Sequence, residues 1–400
     1  MSVRPSQIQR LNVRDLQMGM SVVELDRPWL ESPFTVHGFK IKTQRELSQL
    51  QALCRYVYVV NKKPRPIDPV GKQLVRHKYR NTLTFEHALP QAKSAHRQAK
   101  SIIKGFFKNM RAGRSFDATV AKKAVQQCVA AVIANQEAMI WLGLLKEVDE
   151  YTAEHSLNVA VYAITLGRAE GLSPADLEIL GLCGMLHDIG KAKVPLDVLN
   201  KEGALSDTEF ALLKKHTSHG HDMLMSKHDI PEIAAEVAHS HHERLNGRGY
   251  PRQLHGDKIS YFSRIVAIAD AYDAITSKRI YSPAKTALEG LRILLGAQGS
   301  HFDANLVNKF IATMGIYPAG SVAELSTGEA ALVMPTPQAN NNKPRVLVIR
   351  DSDKQPCAKR QLDLSQNPKD DNGEVITIRH LLSNGSFGID LAHYHDKITE

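Results

Sequence analysis

Histidines crowd one region of the chain: ten of the 18 lie between His155 and His255. Neutral imidazole is the side chain that most often binds metal ions in proteins. The clearest motif in this region is an apolar helical run that ends in His187-Asp188 and continues through Gly190 and Lys191. Adjacent residues on a helix point to different faces. Both side chains can still reach one metal centre if that centre lies where the helix ends.

Further donors lie on both sides of this motif. His155 is on a preceding predicted helix, and a group of three histidines occupies positions 216, 219 and 221, where spacing alone does not select one. The pair His241-His242 ends a helix and could serve two metal ions from one place. Asp270 and Asp273 share one face of an apolar helix, where a charged carboxylate is costly to bury without a cation.

Taken together, with one histidine from the group at 216–221 and with Asp188 and Asp270 as the acidic donors, these positions supply five imidazoles and two carboxylates. One tetrahedral zinc ion uses fewer ligands, so the set predicts two octahedral ions with open positions. Nitrogen and oxygen ligands without thiolate favour iron or manganese. Paired ions roughly 3.5–4 Å apart recur in enzymes that hydrolyse phosphate esters.

Composition is that of a globular protein: 43% of the 400 residues are hydrophobic and 23% are charged. No apolar run approaches the roughly 20 residues needed to span a bilayer, and the start lacks the apolar core of a secretory signal. Four scattered cysteines fit a reducing compartment, so we expect a cytoplasmic protein. The net charge of +9 is concentrated at residues 62–114, which hold fourteen Lys/Arg against two acidic residues. Without a nucleic-acid module, this segment is interpreted as a solvated helix face.

The pattern predicts a multidomain α+β protein, in which an all-α helical catalytic domain is flanked by small β-rich units. Strand-like segments at 21–25 and 55–60, with a short helix at 43–53, predict a β-rich N-terminal module over 1–65. A basic helical connector follows over 66–148, and the helical catalytic domain covers 149–317. Strands predicted at 322–325, 330–333, 345–349 and 375–378 form a small C-terminal β-rich unit over 318–400.

The helical block resembles the HD phosphohydrolase superfamily, and three segments make the resemblance more specific. His241-His-Glu-Arg-Leu-Asn246-Gly247-Arg-Gly249-Tyr250-Pro251 is similar to the signature of HD-GYP domains, the bacterial cyclic di-GMP phosphodiesterases. His187-Asp-Ile-Gly-Lys191 and Ile268-Ala-Asp270-Ala-Tyr-Asp273 also match the family pattern. The segment near Trp29 resembles a module that often precedes HD-GYP domains.

The resemblance implies roles for individual residues. It implies that Lys191 and Arg279 contact the substrate phosphate, and that Gly249, Tyr250 and Pro251 form a loop beside the site. The implied metal ligands, with Asp188 bridging two ions, are His155, His187, Asp188, His216, His241, His242 and Asp270.

Three positions depart from the family pattern. Tyr151 stands where relatives with a third ion have a glutamate, so we expect two divalent ions, iron or manganese. Asn246-Gly247 replaces the usual Asp-Gly, a mild change because both favour tight turns. Arg279-Ile-Tyr281-Ser282 replaces Arg-Pro-Tyr-Arg, so one phosphate contact is missing.

The expected activity is metal-dependent hydrolysis of cyclic di-GMP to linear pGpG, with GMP as a further product option, in bacterial second-messenger signalling. Asp188, Lys191 and Asp273 are the predicted catalytic residues, and Asp273 either relays a proton or only supports the ligands. Two alternatives stay open: a cyclic di-GMP receptor with weak catalysis, and a hydrolase of another nucleotide phosphate ester. Protein partners through the HD-GYP loop or the N-terminal module and a homodimer are further options. No stable nucleic-acid or membrane partner is expected.

Overall fold

A computed structural model gives the arrangement of the chain, which divides into two compact units, Met1–Lys72 and Gln73–Glu400. No helix in the described part of the chain is long and apolar enough to cross a membrane. The structure describes residues 8–26, 39–41, 43–60, 77–114, 116–144, 151–277, 285–335, 343–383 and 385–389.

The first unit is a four-stranded antiparallel sheet with one helix. Its elements are β1 (Ile8–Asn12), β2 (Ser21–Leu25), β3 (Phe39–Lys40), α1 (Gln44–Leu53) and β4 (Tyr56–Val60), with the strands in the order β1-β4-β2-β3. Thr43 and Glu46 form a capping box that starts α1, as expected where a threonine precedes a glutamate by three residues. Val22, Leu50 and Val57 are fully buried in the core of this unit.

The second unit is built mainly from helices. Its described helices are α2 (Phe85–Arg111), α3 (Ala118–Ala134), α4 (Gln136–Gly143), α5 (Tyr151–Ala169), α6 (Pro174–Leu186), α7 (Leu196–Leu199), α8 (Asp207–Lys214), α9 (His216–Met225), α10 (Glu232–Ser240), α11 (Tyr261–Thr276), α12 (Ala287–Gly296) and α13 (Ala304–Met314). Helix α5 is central, because it packs against α2, α4, α6, α11 and α13. Its side chains from Leu157 to Leu166 are buried, which explains why the sequence shows no polar face there.

Helix α2 carries much of the basic segment, and its two faces differ in exposure. Ala92, Ala99 and Ile103 are buried in the same hydrophobic cluster as α5 and α6. Arg97 and Lys104 are exposed on the other side. The helix therefore shares the core of the helical unit and presents its charge to solvent, as the amphipathic spacing predicts.

The C-terminal part of the second unit is a five-stranded antiparallel sheet. Its strands are β5 (Val322–Leu325), β6 (Ala330–Val333), β7 (Arg345–Arg350), β8 (Pro356–Asp363) and β9 (Ile378–Leu382), in the order β8-β7-β6-β5-β9. Every residue of β6 is buried. Val322, Ala330 and Leu332 join the helical core, while Ala323, Ala331 and Val333 belong to a second cluster.

Two details of this sheet differ from the sequence prediction. The prediction missed β8 because this strand lies at the edge of the sheet and is mostly exposed, so it lacks the alternation that marks a half-buried strand. The last strand was predicted at 375–378 and lies at Ile378–Leu382. The buried side chain of Ile376 precedes the strand, which explains why hydrophobicity placed it too early.

The close contact between α5 and α6 gives a test of the packing. A Cβ atom at Gly184 would lie 2.7 Å from Ala160 Cα. Gly184→Ala should therefore lower the free energy of unfolding by about 1–3 kcal/mol through overpacking. Gly105→Ala in α2 is the control, because a Cβ there meets no heavy atom within 4 Å, and it should gain up to about 1 kcal/mol from helix propensity. Urea unfolding followed by circular dichroism measures both; equal stability of the two variants would contradict this packing.

Candidate metal centre

Five helices bring the predicted metal ligands together, most of them at a helix end. His155 lies on α5, His187 and Asp188 directly follow α6, and His216 is the first residue of α9. The pair at 241–242 directly follows α10, and Asp270 lies within α11. Ligand atoms of these side chains fall into three overlapping groups, each with all atoms within 4.8 Å of one another. The groups are Asp188, His216, His241 and His242; His155, His187 and Asp188; and His187, His241 and Asp270.

Asp188 lies at the centre of the cluster, and its two oxygens face different histidines. Oδ2 is 3.5 Å from His155 Nε2 and 3.2 Å from His187 Nε2. Oδ1 is 3.3 Å from His216 Nε2 and 3.8 Å from His241 Nε2. A carboxylate shared in this way has the arrangement needed to bridge two cations.

Asp270 spans the same two sets of donors from the opposite helix. Its Oδ1 is 3.1 Å from His155 Nε2 and 4.0 Å from His187 Nε2. Its Oδ2 is 3.7 Å from His242 Nδ1. The imidazoles and both carboxylates therefore surround one small volume.

The outer ring nitrogens are held by acceptors, and this fixes the tautomers. His187 Nδ1 donates to Gly184 O at 2.7 Å, and His216 Nδ1 donates to Leu213 O at 2.6 Å. His241 Nδ1 lies 3.0 Å from Ala238 O. A carbonyl oxygen only accepts, so the proton of each neutral ring is on Nδ1. The Nε2 lone pairs consequently face inward, where they can bind metal.

Burial keeps the rings of His216, His241 and His242 neutral. Loss of hydration lowers the pKa of His216 to about 4 and that of His242 to about 3. The pKa of His241 is lowered well below its usual value for the same reason. Burial opposes ionisation of Asp188, but Lys191 and the neighbouring imidazoles outweigh it and hold the pKa of this carboxyl well below its usual range. At neutral pH the cluster therefore offers lone pairs and negative charge.

Two polar atoms show that the cluster fits a cation. His187 Nε2 and Asp188 Oδ1 are buried and have no hydrogen-bond partner among the residues the structure describes. Native proteins satisfy nearly all buried polar atoms. Both atoms are acceptors that point into the cluster, and a divalent ion with nitrogen and oxygen ligands would satisfy both of them.

Gly190 allows the helices to approach closely enough for this geometry. It lies in the 3-10 helix Ile189–Lys193. A Cβ atom there would lie 1.9 Å from His216 O and 2.4 Å from Gly220 N. Only glycine therefore lets the segment after Asp188 pack against α9.

A carboxylate organises the loop that follows the histidine pair. Glu243 is buried and accepts hydrogen bonds from the backbone N–H groups of Arg252, at 2.7 Å, and Leu254, at 3.0 Å. Asn246 Oδ1 accepts from the N–H of Arg248 at 3.0 Å, and Gly247 has a φ of +71°. The Asn-Gly pair thus forms the tight turn that its composition predicts.

The predicted loop residues have different surroundings. The Tyr250 ring lies 4.7 Å from the His242 ring between centroids. Gly249 is buried, and a Cβ there would lie 2.4 Å from Arg244 N. Pro251 is exposed. Among the predicted phosphate contacts, Lys191 Nζ contacts Asp188 Oδ2; Arg279, with Tyr281 and Ser282, lies outside the described residues.

Asp273 lies behind the cluster and is completely buried. Its Oδ2 is 2.8 Å from His155 Nδ1 and 3.1 Å from Ser277 Oγ. Its Oδ1 accepts from Asn158 Nδ2 at 3.0 Å. Asn158 and Glu243 were missed in the sequence, although a lone amide in an apolar helix and an acid directly after the histidine pair were signals for both.

Comparisons with known proteins match both the N-terminal and the helical region of the chain. The HD domain family model matches residues 140–306, and a domain of unknown function, DUF3391, matches residues 8–121. A cyclic di-GMP phosphodiesterase from Pseudomonas aeruginosa is 32% identical over 90% of this chain and 89% of its own length. A 3′3′-cGAMP-specific phosphodiesterase from Vibrio cholerae is 37% identical over 39% of this chain and 30% of its own length.

A solved structure of an HDG"Y"P protein from Bdellovibrio bacteriovorus covers 76% of this chain and 98% of its own, with 16% identity and a TM-score of 0.47. The alignment with the Pseudomonas aeruginosa protein extends over 377 residues. Because its motifs, its HD domain match and the Pseudomonas aeruginosa relative agree, the chain belongs to the HD-GYP family of HD-domain phosphodiesterases.

Proposed function

We propose that the protein hydrolyses cyclic di-GMP to linear pGpG, using two divalent cations, iron or manganese, in bacterial second-messenger signalling. The observation that carries the proposal is Asp188, whose two oxygens face separate histidine sets at 3.2–3.8 Å. The name of the Pseudomonas aeruginosa relative supports the choice of substrate.

The donors divide into two sites that share one carboxylate. His155, His187 and Asp188 would hold one ion, and His216, His241 and His242 would hold the other with the second oxygen of Asp188. Asp270 reaches both sets. Cations bound there would supply Lewis acidity, lowering the pKa of water and drawing charge from the phosphate oxygens. Tyr151, in place of a glutamate, supports a count of two.

Lys191 is the chain's own contribution to charge stabilisation. Its ammonium group contacts Asp188 Oδ2, and its side chain is 19% exposed, so a ligand in the site can reach it. Phosphodiester cleavage increases the negative charge on the non-bridging oxygens. A positioned ammonium group stabilises that charge more strongly in a site that excludes water.

Asp273 acts as a positioning residue in this proposal. Both of its oxygens accept hydrogen bonds inside the protein, and it is completely buried. It holds the proton of His155 on Nδ1, which turns the Nε2 lone pair toward the cluster. This arrangement favours the supporting role over the proton relay that the sequence left open.

A second substrate is favoured by one comparison. The Vibrio cholerae relative acts on 3′3′-cGAMP, a cyclic dinucleotide, by its name. Initial rates with cyclic di-GMP, 3′3′-cGAMP and a linear dinucleotide would separate the two substrates. Binding of cyclic di-GMP without turnover, in protein loaded with iron or manganese, would instead show a receptor.

The bridging role of Asp188 predicts the effect of a neutral isostere. Asp188→Asn should abolish hydrolysis and lower the metal content, because the amide removes the charge shared by both sites. Treatment of the wild type with a chelator should have the same effect, reversed by added manganese. Metal analysis and product chromatography provide the readouts.

The control for this substitution is Asp222→Asn on α9, where the side chain is 73% exposed. It should keep full metal content and activity. Full activity of Asp188→Asn, with circular dichroism unchanged, would overturn the assignment of the metal centre.

Asp273 allows a test that separates support from proton transfer. Asp273→Asn should weaken metal affinity about 10- to 100-fold, as removal of such partners does elsewhere, and excess metal should restore most of the rate. The metal titration curve and kcat at saturating metal are the measurements. A variant that binds metal normally but loses kcat at every metal concentration would favour the proton relay.

A further inference from the structure

An aromatic surface continues outward from the metal centre. The Tyr250 ring packs against His242, at 4.7 Å between centroids, and meets the Phe210 ring edge-on at 6.2 Å with an interplanar angle of 80°. Phe210 lies on α8 and is 43% exposed. A line of rings thus leads from a predicted metal ligand to solvent.

A cation lies beside these rings. Lys214 Nζ is 5.0 Å from the centroid of the Phe210 ring and 5.9 Å from that of Tyr250. Lys214 is half-buried, whereas Lys215 beside it is exposed. Of the two acids on the same helix, Asp207 and Glu209, Glu209 forms an ion pair with Lys201 at 2.6 Å. The ammonium group of Lys214 is therefore close to aromatic faces, and it could bind an anion.

Core packing does not explain this arrangement. No residue of α8 is buried, and Leu212 on the same helix is 39% exposed. A large aromatic side chain at such a position adds little to a core. Exposed aromatic residues beside basic groups are, however, the usual platform for nucleobases, because every base has a π-face that can stack.

We propose that Phe210, Lys214 and Tyr250 form a nucleotide subsite, in which a guanine base of the substrate stacks on Phe210 and the non-scissile phosphate pairs with Lys214. This inference rests on the proposed function and specifies how that site selects its substrate. Tyr250 connects the subsite to His242, so a ligand bound there extends from the metal centre across one ring to the next. A ligand with two bases and two phosphates matches a surface that offers both metal donors and a separate stacking platform.

The first test separates binding from chemistry. With manganese-loaded protein and cyclic di-GMP, Phe210→Ala should raise KM about 10-fold, a typical effect of losing one stacked base, and should change kcat less than twofold. Phe210→Trp should restore KM. Leu212→Ala is the matched control on the same helix and should leave both constants unchanged. An unchanged KM in Phe210→Ala would overturn the proposal.

The second test uses the base and the salt dependence. The bases of cyclic di-UMP stack less strongly. With this ligand, the KM of Phe210→Ala should therefore differ less from that of the wild type than it does with cyclic di-GMP. Lys214→Gln should weaken cyclic di-GMP binding and reduce its dependence on salt concentration, because one phosphate contact is lost. A salt dependence identical to that of the wild type would remove Lys214 from the subsite.

A third measurement does not depend on turnover. The probe is a cyclic dinucleotide with 2-aminopurine in place of one guanine. In a stopped-flow experiment its fluorescence should fall on binding, within the first turnover. Phe210→Ala should abolish this quenching. If the wild type cleaves no cyclic dinucleotide but still quenches the probe, the proposed hydrolysis fails and the subsite stands. If the wild type cleaves cyclic di-GMP and the quenching is the same in Phe210→Ala, the subsite fails and the proposed function stands.

Discussion

The cluster of histidines and aspartates is organised around the buried carboxylate of Asp188. Asp188 is 1% exposed, and burial keeps the neighbouring imidazoles of His216 and His241 neutral. An ionised carboxylate without a cation would be very costly in such a place. Lys191, which contacts it, offsets part of that cost. The remaining donors, from five helices, point at the same volume, and a cation bound there would offset the rest of the cost.

Backbone carbonyl groups orient three of the clustered imidazole rings. His187 and His216 each pair Nδ1 with a carbonyl three residues earlier in the chain, and His241 does the same. The carbonyl groups in the last turn of a helix have no intrahelical partners. A histidine that directly follows a helix, or begins the next one, can therefore donate to such a carbonyl oxygen. The position of a histidine at a helix end thus determines both its tautomer and its direction. Asp273 has the equivalent role for His155, which lies inside a helix where no carbonyl is free.

The sequence singled out the side chains that cluster at the helix ends more fully than it predicted the contacts that support them. Metal donors are rare residue types with fixed chemistry, so His155, Asp188 and Asp270 could be singled out and the family pattern could select His216 among its neighbours. Supporting contacts such as Asn158 to Asp273 join positions more than a hundred residues apart, and spacing carries no signal for them. The edge strand β8 was missed for a different reason, because a strand with little burial has no hydrophobic alternation.

The loop after the histidine pair is held chiefly through main-chain groups. Glu243 accepts from the N–H groups of residues 252 and 254, and these donors are present whatever side chain stands there, except proline. The conformation that brings Tyr250 to His242 is therefore largely independent of the side chains displayed on the outside of the loop. Those side chains can therefore change, and with them the surface that the loop offers to a partner, while the histidine cluster beside the loop keeps its geometry.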